Sequence, residues 1–156
     1  MAVTIRRARK EDGRRVAELA VKLARQHEAY DERRFARLYT EADAEWYYGS
    51  RNESENEAVL VAEIDNKIVG YAYIQYEAVN YPGLFKNAVF FHDIYVDEAA
   101  RGTGAGQSLM NATIKTAKEF GADLLVLSVA AKNEHAKAFF ERNGLRTTMF
   151  EMTLNL

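Results

Sequence analysis

The chain has 156 residues, 48% of them hydrophobic, and a formal net charge of −2. That length suits one domain with a sizeable core, no apolar run is long enough to cross a bilayer, and a net negative charge argues against a dedicated nucleic-acid binder, because phosphate contacts need a basic surplus. With no cysteine there is neither a disulfide framework nor a thiol nucleophile, and the start, Met1-Ala2-Val3-Thr4-Ile5, lacks the pattern of a signal peptide, so a cytoplasmic protein is expected.

Residues 3–8 read as a first strand. Residues 12–26 read as an amphipathic helix with Val16, Leu19, Ala20 and Leu23 on one stripe, which His27 extends by a turn. Arg6, Arg7, Arg9, Arg14 and Arg15 are expected to be balanced by nearby acids or solvated. Residues 32–48 are predicted as a second helical region, with Phe35, Leu38, Ala42 and Trp46 roughly on one face. Residues 59–64 and 68–77 form a predicted hairpin about Asp65-Asn66-Lys67. Residues 80–86, with the lone proline Pro82, read as an exposed loop. The run Val89-Phe90-Phe91-His92-Asp93-Ile94-Tyr95-Val96 reads as a buried strand, 107–120 as a helix closed by Gly121, 123–129 as another apolar strand, and 147–154 as a final strand. No linker or repeat interrupts the chain, so 1–156 is taken as a single domain.

Between the buried strand and the helix at 107 lies Arg101-Gly102-Thr103-Gly104-Ala105-Gly106. Strand, glycine loop and helix start together point several backbone N–H groups at one spot, on the positive end of a helix dipole. Glycine lets a ligand approach with no Cβ in the way. An anion, a phosphate above all, is the natural occupant. A Walker loop would need lysine after its last glycine, where Gln107 stands. The dinucleotide fingerprint would need its third glycine one residue later. A third reading is the pyrophosphate arm of coenzyme A, and the plain structural one is a flexible turn before a helix start.

The hexapeptide resembles the Gln/Arg-x-x-Gly-x-Gly/Ala signature of the GNAT superfamily of N-acetyltransferases. A second segment, Asn133-Glu134-His135-Ala136-Lys137-Ala138-Phe139-Phe140-Glu141-Arg142-Asn143-Gly144-Leu145, resembles that superfamily's second motif. Each of its pieces also has a plain structural role: Asn133 as an N-cap, Ala136, Phe139 and Phe140 as a core stripe, Gly144 as a C-cap. Those roles do not account for the joint occurrence of two motifs in the right order. The resemblance implies an α/β fold with a central mixed sheet flanked by helices on both faces. It implies acetyl-CoA as co-substrate, held by Arg101 to Gln107 and by the backbone of Ile94, Tyr95 and Val96. It implies that Asn133, and Phe140 with it, lies beside the pantetheine arm. It further implies transfer of acetyl to a primary amine, of a small polyamine-like molecule or of a protein, by direct attack in a ternary complex. A non-catalytic acyl-CoA-binding or sensor module is the alternative. Superfamily members often pair through their C-terminal strands, and the alternation of Phe150, Met152 and Leu154 with Glu151 and Thr153 fits a homodimer.

Direct attack needs a neutral amine and therefore an acceptor for its proton. His92 and Asp93 interrupt an otherwise apolar strand, where polar groups are costly unless they are paired. Strict alternation puts His92 with Phe90, Ile94 and Val96, and Asp93 on the opposite face with Phe91 and Tyr95. The diamine-acetyltransferase-like branch, which this chain resembles most, carries an adjacent acidic pair here; in this chain the first member is His92. Histidine suits proton acceptance near neutral pH, and the choice between His92 and Asp93 stays open. His27, Glu28, Tyr30, Glu77 and Tyr81 are candidates for the acceptor side, and the acids and aromatics among them hint at a cationic amine. A metal built from His27, His92 and Asp93 matches no ligand spacing, so none is expected. His135 is expected in solvent. Phe140 stands where the superfamily usually has a tyrosine whose hydroxyl protonates the leaving thiolate.

Overall fold

A computed structural model describes residues 2–156; Met1, part of the stretch weighed against a signal peptide, lies outside them. The elements run β1 (Thr4–Arg7), α1 (Gly13–Tyr30), α2 (Glu41–Arg51), β2 (Glu57–Ile64), β3 (Lys67–Asn80), β4 (Phe85–Val96), α3 (Ala105–Glu119), β5 (Leu124–Leu127) and α4 (Glu134–Arg142). The sheet has the order β1-β2-β3-β4-β5. Its pairings are antiparallel except β4 with β5, which is parallel.

Both faces of the sheet are covered, and the sequence shows why. On β2 the alternation is apolar on both sides. Val59 and Val61 join Tyr71, Tyr73 and Tyr95 under Val16, Leu19 and Ala20 of α1 and Ala44 and Tyr48 of α2. Ala58, Leu60 and Ala62 join Ala72, Ile74, Val89 and Phe91 under Leu109 and Met110 of α3 and Phe140 of α4. Strands buried on both faces are expected to be apolar throughout. The predicted hairpin is present, its tight turn made by Asp65 and Asn66 with φ of 49° and 61°. Both central residues with positive φ is the type I′ turn that matches strand twist. Arg6 is balanced by Asp12 and Glu63, each at 2.6 Å, and Arg15 by Glu18 and Asp97.

Several expectations are corrected. The helix predicted over 32–48 is confined to Glu41–Arg51. The Asp31 side chain accepts the N–H groups of Arg33 and Arg34 at 3.0 and 3.1 Å, a local bond that competes with helix. Thr40 and Asp43 then form a capping box that starts α2. Trp46 and Leu38 are consequently exposed, at 70% and 85%, and Ala44 and Tyr48 face the core instead. The loop predicted over 80–86 shrinks to a turn, because the β3–β4 ladder runs out to Asn80 and Phe85. The final strand predicted over 147–154 pairs with nothing, and residues 146–156 are exposed throughout.

The largest correction concerns β4. Tyr73 pairs with Asp93, but the next residue of β3, Ile74, pairs with Phe91. His92 is thus the extra residue of a β-bulge. Val89 and Phe91 turn toward α3, while Asp93 and Tyr95 turn toward α1 and α2. His92 stacks on Tyr73, whose side chain belongs to the α1 side, with ring centroids 4.9 Å apart. His92 and Asp93 therefore share a face, where strict alternation would have put them on opposite ones.

Leu109 is fully buried under β2, β3 and β4. Leu109→Ala should lower unfolding stability by about 2–5 kcal/mol. A reduced urea midpoint with an unchanged slope is the expected reading; an unchanged midpoint would contradict the packing described.

Candidate active site

The glycine loop is shaped by two left-handed residues, Gly102 at φ 81° and Gly104 at φ 88°. Gly104 is also the N-cap of α3. A Cβ built on either glycine would meet no atom within 4 Å. Thr103 fixes the turn, its hydroxyl donating to the Ala100 carbonyl at 2.6 Å and accepting weakly from the Ala105 N–H at 3.4 Å. The Ser108 N–H is the first to close onto the helix, at the Gly104 carbonyl. Among the described residues, the N–H groups of Gly102, Thr103, Gly104, Gly106 and Gln107 meet no acceptor. Open amides beside a positive helix end make an anion cradle. Ala105 is buried against the sheet, and the Gln107 side chain is engaged with Asn111 and Asn143, so both offer the loop backbone only. Arg101 leans over the Tyr95 ring at 5.8 Å, with its guanidinium exposed.

Beside the cradle the sheet splits. β4 and β5 pair from Ala88 with Leu124 to Phe91 with Leu127, and no further. The bulge at His92 begins where that pairing ends. From there the β5-facing edge of β4, through Ile94, Tyr95 and Val96, has no strand beside it. The Tyr95 side chain is buried toward α1, and Ile94 and Val96 lean toward α3; what the segment offers the gap is backbone N–H.

The gap widens into a cleft of about 380 Å³ lined by Phe91 to Ile94, by 127–130, by Asn133 and Phe140 of α4, and by His27, Arg34, Phe35 and Tyr39. Asn133 caps α4, its side chain accepting the Ala136 N–H at 3.1 Å. Phe140 is buried edge-on against Phe91, with centroids 6.2 Å apart. Gly144 closes α4 with φ 90°.

His92 lies between Tyr73 and Phe90, the latter at 4.7 Å. Its Nε2 faces the Gln75 side-chain oxygen at 3.1 Å. An amide oxygen only accepts, so Nε2 carries the proton and Nδ1 is left as the acceptor. Desolvation holds the imidazole pKa below its ordinary value, opposed by the acids Asp93, Glu77 and Glu57. Asp93 is clamped by two tyrosines, Tyr48 from α2 and Tyr71 from β3 at 3.2 Å, both donating to Oδ2. Its Oδ1 has no partner among the described residues. Burial pushes the carboxyl pKa up, and the tyrosine hydrogen bonds and nearby histidines pull it back. Tyr48 and Tyr71 are themselves pushed well above the usual phenol, first by burial and then by the Asp93 charge. Both hydroxyls therefore stay donors.

His27 sits at the C-terminal end of α1 with Nδ1 on the Leu23 carbonyl at 2.9 Å, which makes Nδ1 the donor and leaves Nε2 free to accept. It packs edge-on against Phe35 and Tyr30. The other acceptor-side candidates are not brought to the cleft. Glu28 is paired with Arg37 at 2.9 Å. Tyr30 accepts from Gln26 and reaches the site only through His27. Glu77 does not line the cleft, although its charge acts on His92, and Tyr81, 82% exposed, lies at the turn of the β3–β4 hairpin. His135 is exposed, as expected. Tyr71 was not singled out by sequence; its signal is the alternation with Tyr73 on a strand beside β4. Among the described residues no group of three or more His, Asp or Glu side chains is placed to hold a metal, and no helix is long and apolar enough to cross a membrane.

Residues 21–145 match the Acetyltransferase (GNAT) family. The chain belongs to that family. An uncharacterized N-acetyltransferase of Methanocaldococcus jannaschii is 30% identical over 102 residues, 65% of this chain and 44% of that protein. The chain spans about half the length of the curated relatives it matches. A variant of the BH1408 protein of Bacillus halodurans is 27% identical, with a TM-score of 0.83 over 98% of this chain and 99% of that one. The fold, at 15% identity and a TM-score of 0.80, is shared with an aminoglycoside N-acetyltransferase solved with CoA, over 99% of this chain and 95% of that one. The glycine loop and the Asn133–Leu145 segment are thus parts of a GNAT domain with a mixed sheet between helical layers.

The clamp on Asp93 makes a prediction. Tyr48→Phe removes a hydrogen bond to a charged group, worth about 1.5–3 kcal/mol. That bond lowers the Asp93 pKa, so losing it raises the pKa further. The variant should be destabilised more at a pH above the raised Asp93 pKa, where the carboxylate is ionised, than below it, where the acid is protonated. Denaturation at several pH values reads this, and a loss independent of pH would reject the clamp.

Proposed function

We propose that this GNAT chain is an acetyl-CoA-dependent N-acetyltransferase that transfers acetyl to a primary amine by direct attack in a ternary complex, and that it works in the cytoplasm as a homodimer. The observation that carries the reading is the continuity of three features. Open amides at Gly102 to Gln107 adjoin the β4–β5 gap, and the gap leads to a cleft with His92 and Asp93 on one wall.

The residues fit the co-substrate. The loop amides and Arg101 would hold the pyrophosphate, the unpaired backbone of Ile94 to Val96 would donate to the acetyl oxygen, and Asn133 and Phe140 would flank the arm. Acetyl-CoA supplies a thioester already activated toward an amine. The protein's own work is positioning and proton handling. A primary amine with a pKa near about 10.4 is mostly protonated at pH 7. On this reading, Asp93 Oδ1 accepts from the incoming ammonium and orients it, and Nδ1 of His92, on the same face, takes its proton directly or through water. His27 and Arg34 dress the acceptor end. Only one acid, Asp93, lines the cleft, so the acceptor needs no more than one positive charge there; small-molecule and protein amines both meet that requirement.

One observation favours a second reading, a non-catalytic acyl-CoA-binding or sensor module. Phe140 gives the cleft an apolar wall where the family usually has a phenol, so this wall donates no proton to a departing thiolate. Thiol release from acetyl-CoA over a panel of amines separates the two. Tight CoA binding with no turnover on any amine establishes the module.

Two further outcomes are expected. Gly104→Ala places a methyl group at positive φ, at a cost of about 1–2 kcal/mol, and into the space before the open amides. The acetyl-CoA KM should rise about tenfold or more, equivalent to about 1.4 kcal/mol, in a chain that remains folded; unchanged KM would remove the loop from CoA binding. His92→Ala should lower kcat/KM by about 10²-fold or more. In the wild type, kcat/KM should fall on the acid side with a midpoint below the ordinary histidine value of about 6.5, because the shift is downward and the neutral ring is the active form. That limb should vanish in His92→Ala. A larger effect of Asp93→Asn, with His92→Ala nearly silent, moves the role to Asp93.

A further inference from the structure

The bulge sets His92 beside two residues of β3 at once. Tyr73 pairs with Asp93 and Gln75 with Phe90, and His92 lies between those two rungs. Tyr73 and Gln75 are two apart on one strand and so share a face. Tyr73 stacks on the imidazole at 4.9 Å with an interplanar angle of 18°, and Phe90 adds a second ring at 4.7 Å. The Tyr73 ring is itself fixed, its hydroxyl bonded to Glu57 and 3.0 Å from that of Tyr47. Gln75 meets the edge of the imidazole instead, with its side-chain oxygen 3.1 Å from Nε2.

These contacts do different things. Stacking holds the plane of an imidazole. It does not choose between the ring and the same ring turned over by a half-turn, nor decide which nitrogen carries the proton. A hydrogen bond at one nitrogen makes both choices. Among the described residues, Gln75 alone bonds a ring nitrogen of His92. Its backbone stands in the ladder between Glu57 of β2 and Phe90 of β4, so the side chain starts from a fixed place.

We propose that Gln75 is a positioning residue for proton transfer: its side-chain carbonyl accepts Nε2–H of His92 and so presents Nδ1 as the nitrogen that takes the amine proton. The inference rests on the reading of His92 as proton acceptor and adds the residue that orients it. A neutral amide suits the task better than an acid. Asp93 on β4, Glu77 on β3 and Glu57 on β2 already favour the charged ring, and desolvation outweighs them. Tyr73 faces the ring as a phenol, and Tyr47 and Arg51 of α2 touch Tyr73 and Glu57 in turn. His27, Arg34 and Tyr39 line the same cleft. A fourth carboxylate at hydrogen-bond distance would hold the imidazole charged, and a charged ring accepts no proton. Gln75 supplies direction without that charge.

Nitrogen–proton NMR of the histidine rings, followed over pH in the free protein, tests this without any substrate. Neutral His92 should carry its proton on Nε2. Gln75→Glu should keep that tautomer and raise the midpoint of His92 titration by about 1 pH unit or more. Gln75→Leu should leave a mixture of tautomers and lower kcat/KM about tenfold or more, a share of the about 10²-fold or more that a general base contributes, with the acetyl-CoA KM unmoved. A proton found on Nδ1 in the wild type, as an amide turned to donate to Nε2 would give, overturns the proposal. So does an unchanged tautomer in Gln75→Leu. The wild type and Gln75→Glu decide the matter if Gln75→Leu fails to fold. In Gln75→Glu the acid limb of kcat/KM should move up with the NMR midpoint. A limb that stays in place while the midpoint moves removes His92 as the proton acceptor, and the proposal falls with that reading; the NMR outcomes alone overturn the orientation by Gln75 and leave His92 in its role.

Discussion

One extra residue in β4 organises this molecule. Without the bulge at His92, period-two alternation would send His92 and Asp93 to opposite sides of a sheet covered by helices on both faces. One of the two would then lie beneath α3, among Leu109 and Met110. An imidazole or carboxylate there would enter a mostly apolar core, at a cost of several kcal/mol unless it found a partner. The bulge turns both polar groups toward the α1–α2 side, where tyrosine hydroxyls and a cleft receive them. It also marks the end of β4–β5 pairing, because the sharper local twist carries the two strands apart. The same irregularity therefore gathers the polar pair, opens the gap and frees a stretch of strand backbone to face it.

Around that bulge the protein assembles donors before it assembles charge. Tyr48 and Tyr71 bond Asp93, and Tyr73 bonds Glu57 while bonding Tyr47 at 3.0 Å. Glu57 is 7% exposed and also lies 3.6 Å from Arg51. Phenols suit this role. They fill core volume as rings, and burial keeps their protons on, so each remains a donor next to a carboxylate. The rings come from two elements in sequence order, Tyr47-Tyr48 on α2 and Tyr71 with Tyr73 on β3. Their edge-on packing at 5.2 to 5.8 Å holds α2 against the sheet. The stability of the α2 contact and the protonation of Asp93 are thus one problem, solved by the same side chains.

Much of this was legible in the sequence. The glycine loop, the hairpin at Asp65-Asn66, the α4 cap at Asn133 and the apolar stripe of α1 are local signals, each set by a few neighbouring residues. His92 and Asp93 stood out because polar residues in an apolar run demand a reason. Their common face did not show, since a bulge is a fact about pairing with β3 and Tyr73–Ile74 gives no local sign of it. The 32–48 helix failed because the capping box at Thr40 overrode an apolar periodicity that Leu38 and Trp46 only imitated. Tyr81 looked close to the site because it precedes β4 in sequence; the hairpin carries it away at about 3.3 Å per residue, whereas Glu77 stays near enough for its charge to act on His92. The 147–154 strand failed differently. Its alternation is genuine, but pairing needs a partner edge, which sequence does not supply.

Phe140 shows how an apolar substitution reshapes a site rather than merely subtracting from it. Its ring packs on Phe91 and Phe139, at 6.2 and 5.4 Å, and so joins the α4 face to the last paired residue of β4. A phenol in that place would need a hydrogen-bond partner wherever it was buried, and the surrounding rings offer none. The wall beside Phe91 and Phe139 is aromatic, and Phe140 adds no donor to it. On the proposed reading the departing group is a thiolate, whose conjugate acid has a pKa near about 8.5. Such an anion leaves without prior protonation far more readily than an alkoxide would. The demanding proton in this site is then the one on the incoming amine, about two units more tightly held. That is the end of the cleft where His92, Asp93 and His27 are gathered, so the polar groups stand where the proton transfer is hardest and the rings where it is dispensable.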